Sequence, residues 1–151
     1  MKTKKIKKVL IAMDYDETSQ KVAEMGFSMA NAMNAEVILL HVISEQPIYY
    51  SSYAYMRELR VDFFGNLEDS TQKFLDKTKK HLENESIKTI IKVGEIAETI
   101  LETAKELKVD VIVMGSHSRK WLENIIMGST TENVLKKTSI PLYIIPTKKQ
   151  N

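Results

Sequence analysis

The sequence contains no cysteine, so disulfide bonds and reactions that need a thiol nucleophile are both excluded. No apolar run approaches the roughly 18 residues of a membrane span. The lysine-rich start of the chain also lacks the apolar stretch of a signal peptide. These absences predict a soluble protein of the cytoplasm that does not enter a membrane.

The excess of positive over negative charge is also small. The chain has 22 lysines and arginines against 20 aspartates and glutamates, which leaves a net charge of +2. So small a charge gives no strong field to attract nucleic acid or an acidic membrane surface, and we expect neither as a partner. The 151 residues suit one domain, residues 1–151, with a sizeable core.

The histidines are few, and none has the spacing of a metal site. His41 lies in an apolar run and is expected to pack there, whereas His81 lies in a charged helical pattern and is expected to be solvated. His117 precedes Ser118, but sequence neighbours seldom face each other as base and nucleophile, and no third residue is evident to orient the base. The sequence therefore favours a binding or signalling protein over an enzyme.

Short apolar runs alternate with helical patterns along the whole chain. Five runs predict strands: Lys8 to Met13, Val37 to Ile43, Thr89 to Val93, Val111 to Met114 and Leu142 to Ile145. The third run carries a lysine, which suits a sheet edge. Four segments with apolar residues at helical spacing begin near Thr18, near Asn66, after Gly94 and near Ser129. Acidic and hydroxyl residues ahead of the first helix are expected to cap it.

This alternation predicts an α/β fold with a five-stranded parallel sheet, strand order 3-2-1-4-5, and four helices. One segment does not fit the pattern. Ser44 to Gly65 has no clean period and contains Tyr49, Tyr50, Tyr53 and Tyr55. Such a segment is typical of a lid, a flap or a partner surface, and tyrosines cover protein surface more often than they stack on a ligand base.

The stretch from Val111 to Val134 is where function is expected. A buried strand leads into a Gly/Ser loop, and the chain breaks again at Gly128 before the last helix. Unpaired N–H groups in the loop and the first helical turn, together with the helix dipole, would favour a phosphate. Residues Ser129 to Glu132 equally fit an S-x-x-E capping box, and the two glycines could serve turns alone, so both interpretations stay open.

Strand order narrows the place where a ligand would bind. In open sheets of this order, ligands lie at the carboxyl ends of the strands where the winding reverses, which is between strands one and four. Those strands end at Asp14 and Gly115. Asp14 could alternatively cap the first helix.

Six segments carry a family resemblance: KKVLIAMD, EVILLHVI, VGEIAETIL, VDVIVMGSHS, IIMGSTTENVL and SIPLYIIP. Over essentially its whole length the chain resembles a universal stress protein. The resemblance implies a three-layer Rossmann-like fold of the adenine nucleotide alpha hydrolase type. It also implies an ATP-binding regulatory module of the stress response that acts as a homodimer, with protein partners that the sequence does not name.

The ATP-binding members of that family carry Gly, two residues, Gly, nine residues, then Gly and Ser or Thr. Gly115 and Gly128-Ser129 match this motif at the right spacing, and Ser118 replaces the middle glycine. A serine at a position that needs positive φ would cost about 1 to 3 kcal/mol, which would weaken ATP binding without abolishing it. Its hydroxyl could recover part of that loss by donating to a phosphate oxygen.

The resemblance implies a nucleotide site of twelve residues: Ala12, Met13, Asp14, Val42, Met114, Gly115, His117, Ser118, Arg119, Gly128, Ser129 and Thr130. Within it, Asp14 would accept hydrogen bonds from the ribose hydroxyls. Val42 would offer backbone groups and an apolar edge to the adenine. The implied ligand is ATP, with AMP or ADP as alternatives, and Mg²⁺ or Mn²⁺ would be held mainly by the phosphates.

The last strand predicts how two copies would associate. Pro141 to Ile145 would be an exposed apolar edge, which proteins normally pair or cover, and antiparallel pairing about a two-fold axis would cover both copies at once. The resemblance implies the same homodimer. Two further hypotheses stay open: a dimeric interaction protein of this family that binds no nucleotide, and a weak ATPase or self-phosphorylating protein.

Overall fold

Strands and helices alternate along the protein, as its apolar runs predict. The computed structural model describes residues 1–45, 53–116 and 127–147, with the backbone alone for residues 53–65. The elements are β1 Lys8–Ala12, α1 Ser19–Ala32, β2 Glu36–Ser44, α2 Tyr53–His81, β3 Lys88–Gly94, α3 Ile96–Glu106, β4 Val111–Gly115, α4 Ser129–Lys137 and β5 Leu142–Ile145. The strands form one parallel sheet of order β3-β2-β1-β4-β5. The predicted α/β fold is confirmed.

The sheet separates two apolar cores, and successive residues of β1 alternate between them. Val9 and Ile11 face the core covered by α1 and α2, whereas Leu10 faces the core covered by α3 and α4. All three side chains are fully buried because the central strand has helices on both faces. This explains why the central strands are continuous apolar runs, with no polar residue at every second position.

Helix α1 lies unusually close to the sheet at Gly26. A Cβ atom at this position would lie 2.9 Å from Cδ1 of Ile11 and 3.0 Å from Cγ1 of Val113. Real Cβ atoms rarely approach another atom so closely, so a larger residue would push the helix away from β1 and β4. The absence of a side chain at Gly26 therefore sets the distance between α1 and the two strands that carry the candidate site.

Helix α2 begins at Tyr53, well before the start near Asn66 that the apolar period predicts. The expectation that Ser44 to Gly65 is irregular is therefore wrong for residues 53–65, and residues 46–52, including Tyr49 and Tyr50, lie outside the described residues. Between Tyr53 and His81 the sequence has no proline and one glycine, which costs about 1 kcal/mol relative to alanine within a helix. Helix propensity thus extends the element beyond the stretch with a clear amphipathic period.

Asp110 holds the start of β1 against the start of β4. Its Oδ2 accepts hydrogen bonds from the N–H groups of Lys7 at 2.9 Å and Lys8 at 3.0 Å, and Nζ of Lys4 lies 3.2 Å from Oδ1. The backbone hydrogen bond from Lys7, with help from Lys4 and Lys8, outweighs burial and lowers the pKa of Asp110 below its ordinary value. The ionised carboxylate is therefore the form that stabilises the fold.

Replacing Asp110 by alanine should lower the free energy of unfolding by about 1 to 3 kcal/mol near neutral pH, because two backbone N–H groups lose their acceptor. A depressed pKa contributes stability above the unfolded-state pKa of 3.8, and this contribution is lost as the pH falls through the folded-state value. Urea unfolding near pH 7 and again near pH 3 should show the difference from wild type shrinking in acid. Lys4→Ala is the control and should change little, because Lys4 is largely exposed. Equal stability of Asp110→Ala and wild type at neutral pH would contradict this role.

Candidate functional site

Met13, the residue after β1, is fixed on three sides. Its N–H group donates to the carbonyl oxygen of Leu40 at 2.8 Å, and its carbonyl oxygen accepts from Nδ1 of His41 at 2.6 Å. Its side chain is buried in the core under α1 and α2. These contacts hold the backbone of Met13 in place, and so they also set the position of the next residue, the exposed Asp14, at the carboxyl end of β1.

The turn that follows Asp14 is held by a different carboxylate. Oδ1 of Asp16 accepts from the N–H of Thr18 at 2.8 Å and from its hydroxyl at 2.6 Å. Thr18 is the N-cap residue of α1 and makes no side-chain capping bond. The acidic residue ahead of the helix that bonds to its N-terminal backbone is therefore Asp16, in line with the expected acidic cap, and a capping role of Asp14 stays a prediction.

An aromatic cluster lies beside this turn. The ring of Tyr15 is half exposed and packs against Phe74 of α2, with ring centroids 4.6 Å apart, and edge-on against His41, with centroids 6.2 Å apart. His41 thus packs in β2 as predicted, and it also bonds to the backbone of Met13. Sequence reasoning missed this second role because it depends on β1 and β2 being neighbours.

Ser116, the residue after β4, uses all three of its polar groups. Its N–H donates to the carbonyl oxygen of Ile145 at 2.9 Å, and its carbonyl oxygen accepts from the N–H of Gly128 at 3.0 Å. Its hydroxyl oxygen accepts from the N–H of Thr147 at 3.1 Å. Ser116 therefore joins the end of β5 to the start of α4.

Gly115 lies where the sheet, α1 and α4 meet. A Cβ atom here would lie 2.9 Å from Cγ2 of Val22 and 3.1 Å from Cγ2 of Thr147, so the position has no room for a side chain. The carbonyl oxygen of Gly115 accepts a hydrogen bond of 2.7 Å from Oγ1 of the buried Thr131. The glycine thus serves close packing at the end of β4, and Thr131 brings the first turn of α4 onto it.

The N-cap residue of α4 is Gly128, which has extended φ and ψ of −68° and 156° and no side-chain cap. The capping-box interpretation is therefore wrong: Ser129 is the first helical residue, and the carboxylate of Glu132 pairs with Lys136 at 3.1 Å. The first intrahelical bond runs from the N–H of Glu132 to the carbonyl oxygen of Gly128 at 3.0 Å. By helix geometry, the N–H groups of residues 129–131 have no acceptor inside α4. They can serve an anion, which the helix dipole also favours.

The backbone of Val42 faces the same end of the sheet. The carbonyl oxygen of Leu40 accepts from Met13, so this edge of β2 faces β1, and the alternation of a strand places the N–H and carbonyl groups of Val42 on that edge too. β1 ends at Ala12, opposite Leu40, and does not reach Val42. The side chain of Val42 is buried in the core under α3 and α4, so its backbone is the part that could meet a ligand.

Eight of the twelve expected site residues lie at the ends of β1 and β4 or at the start of α4: Ala12, Met13, Asp14, Met114, Gly115, Gly128, Ser129 and Thr130. The strands β1 and β4 are adjacent, and α4 is bonded to the end of β4, so the fold brings these residues to one region. Val42 lies on the neighbouring strand, and His117, Ser118 and Arg119 lie outside the described residues. Ser116, Thr131 and Thr147 were not predicted. The position of Ser116 directly after Gly115 was a visible signal, whereas the bonds of Thr131 and Thr147 depend on the fold.

Comparison with known proteins identifies the family. The model of the universal stress protein family matches residues 5–146. The chain belongs to the universal stress protein family. Universal stress protein MJ0577 of Methanocaldococcus jannaschii is 32% identical, over 94% of this chain and 96% of that protein. Universal stress protein YxiE of Bacillus subtilis is 30% identical, over 91% and 97%.

Solved structures of the family share the fold. The structure of MJ0577 superposes with a TM-score of 0.79 at 33% identity and covers 97% of this chain and 99% of that chain. A universal stress protein solved in complex with cAMP has a TM-score of 0.67 at 19% identity and covers 96% and 100%. The second similarity concerns the fold alone.

The part of the chain that the structure describes contains neither a cluster of metal ligands nor a membrane-spanning helix. Within residues 1–45, 66–116 and 127–147, no three His, Asp or Glu side chains are grouped so that they could hold a metal ion. Among the helices that the structure describes, none is long and apolar enough to cross a membrane. A divalent ion at the candidate site would therefore need ligands from the nucleotide or from other parts of the chain.

Proposed function

We propose that this universal stress protein is a regulatory module of the cytoplasmic stress response that binds ATP and acts as a homodimer. One observation carries the ATP site. The first turn of α4 is held against the carboxyl end of β4 by the Thr131 hydroxyl and by the bond from Gly128 to Ser116. This arrangement presents N–H groups at the point where the winding of the sheet reverses, which is where such folds bind ligands.

The remaining parts of an adenine nucleotide fit the neighbouring strands. The phosphates would bind to the first turn of α4, and the exposed carboxylate of Asp14 would accept bonds from the ribose hydroxyls. The adenine edge would meet the backbone of Val42 beyond the end of β1. The relative crystallised with cAMP supports this ligand class in the family. Mg²⁺ or Mn²⁺ would be held mainly by phosphate oxygens, which suits an ion that keeps most of its water.

Titration calorimetry of ATP with Mg²⁺ into nucleotide-stripped protein tests the proposal. We expect a dissociation constant in the micromolar range. ATP at about 100 times that constant should stabilise the fold by about 2.7 kcal/mol, which corresponds to a melting temperature higher by about 5 to 10 °C. AMP and ADP titrated in parallel identify the preferred nucleotide, and a phosphate-release assay detects slow hydrolysis.

The opposite result has a definite meaning. Neither heat nor thermal stabilisation at millimolar ATP would show that the end of β4 has a structural role. The protein would then be a dimeric interaction protein of the same family, and the β5 edge would become the surface to study. Phosphate release or a phosphorylated serine would instead indicate a weak ATPase or self-phosphorylating protein.

A further inference from the structure

The hydroxyl of Thr131 makes a bond that the sheet itself does not supply. The N–H of Ser116 faces β5, where it bonds to Ile145, so the alternation of the strand turns the carbonyl of Gly115 the other way, towards β1. β1 pairs with β4 only as far as Val113. The Gly115 carbonyl therefore lies beyond the last β1 partner, and Oγ1 of Thr131 donates to it at 2.7 Å.

This bond differs from those of the other buried threonines in helices. Thr71 and Thr103 donate to the carbonyl oxygens of Leu67 and Thr99, each four residues earlier in its own helix, at 2.7 Å. Such bonds lie within one helix, so they do not set the position of that helix relative to a strand or another helix. The Thr131 hydroxyl instead crosses from α4 to β4, and the side chain is 3% exposed. It therefore fixes where the first helical turn lies.

From this geometry we infer that Thr131 is a positioning residue for nucleotide binding. Its hydroxyl holds the first-turn N–H groups of α4 at the β1–β4 junction, and phosphate affinity depends on that placement. The inference rests on the proposed ATP site and adds to it a residue that acts through helix position. A small displacement of donors from a charged ligand lowers affinity strongly, because hydrogen bonds weaken steeply with distance and angle.

Two substitutions at Thr131 separate the effect of the hydroxyl group from the effect of the side-chain volume. Thr131→Val keeps the shape and removes the donor, so it should raise the ATP dissociation constant about tenfold. Thr131→Ser keeps the donor and should stay within about threefold of wild type. The matched control is Thr71→Val, which removes an equally buried hydroxyl from α2 and should leave ATP affinity unchanged. Calorimetric titration of ATP with Mg²⁺ into each full-length variant measures all three.

A second measurement needs no nucleotide. Amide hydrogen exchange at Gly128 and Glu132, whose N–H groups bond to Ser116 and Gly128, reports whether the start of α4 stays in place. Exchange at both should quicken in Thr131→Val and stay near wild type in Thr131→Ser and Thr71→Val. Unchanged exchange in Thr131→Val would overturn the inference, whether or not ATP binds.

The outcomes separate this inference from the proposed function. If wild type binds ATP and Thr131→Val binds it equally well, the positioning role is wrong and the ATP site stands. Equal weakening in Thr131→Val and Thr131→Ser would also overturn the inference, because the hydroxyl would not be the group that matters. If wild type binds no ATP, the proposed function fails and so does the role of Thr131 in binding.

Discussion

ATP affinity should fall by about a hundredfold or more when Gly128 is replaced by tryptophan. The side chain of an N-cap residue lies over the first-turn N–H groups, so an indole there would exclude the phosphates from those donors. Losing two hydrogen bonds to a charged ligand costs at least about 3 kcal/mol. The backbone angles of Gly128, −68° and 156°, are open to any residue, so the substitution needs no strained conformation.

Two further variants control for damage to the helix. Gly128→Ala adds one methyl group and should weaken ATP binding by less than about tenfold. Ser129→Glu places a carboxylate at an exposed first-turn position, where it favours the helix dipole but repels phosphate. Calorimetry should therefore show weaker ATP binding in a protein whose melting temperature is maintained. ATP binding that survives both Gly128→Trp and Ser129→Glu would place the nucleotide elsewhere on the protein.

Replacing Ile144 by proline should raise the dissociation constant of the proposed homodimer by about a hundredfold. The carbonyl oxygens of Pro141 and Ile145 accept bonds from β4, so the alternation of β5 turns the N–H and carbonyl groups of Leu142 and Ile144 towards the edge of the sheet opposite β4. Proline at 144 removes one outward N–H from each copy and leaves the bonds to β4 intact. In a two-fold dimer both copies lose this hydrogen bond. Together with the steric clash of the proline rings, the loss makes the free energy of association less favourable by about 3 kcal/mol.

Sedimentation equilibrium at micromolar protein measures this change. Ile144→Val is the matched control, because it keeps the N–H and a β-branched side chain and should remain dimeric. Tyr143 points its backbone groups at β4, so Tyr143→Pro should instead destabilise the fold itself. A wild-type protein that is monomeric at these concentrations would contradict the homodimer, and an Ile144→Pro variant that dimerises normally would place the interface elsewhere.

The strands could be predicted closely because parallel strands buried on both faces must be continuous apolar runs. β5 matches its predicted bounds, and β2 extends the predicted run by one residue at each end. Helix starts were harder. Tyr53 lies in a stretch without an apolar stripe, so periodicity could not locate the beginning of α2 there. Intrinsic helix propensity, which the spacing of apolar residues does not measure, would have suggested this start.

The sequence predicted that the candidate site lies at the ends of particular strands, but it did not predict the hydrogen bonds within the site. Strand order places Asp14 near Gly115, because both lie at the carboxyl ends of adjacent central strands. The bonds of Ser116 and Thr131 depend on register and on the direction of each carbonyl, which no local pattern encodes. The same S-x-x-E letters suggested a capping box, yet the helix begins at Ser129, one residue earlier than that motif requires.

Asp110 and the candidate site lie at opposite ends of the same two strands. Because the sheet is parallel, Asp110 joins the amino ends of β1 and β4, whereas Asp14, Gly115 and the start of α4 lie at their carboxyl ends. Five-residue strands place roughly 15 Å between the two regions, more than a Debye length in physiological salt. A substitution at Asp110 can therefore lower the protein's resistance to unfolding without altering the charge that a phosphate would encounter, so stability and ligand binding can be changed separately.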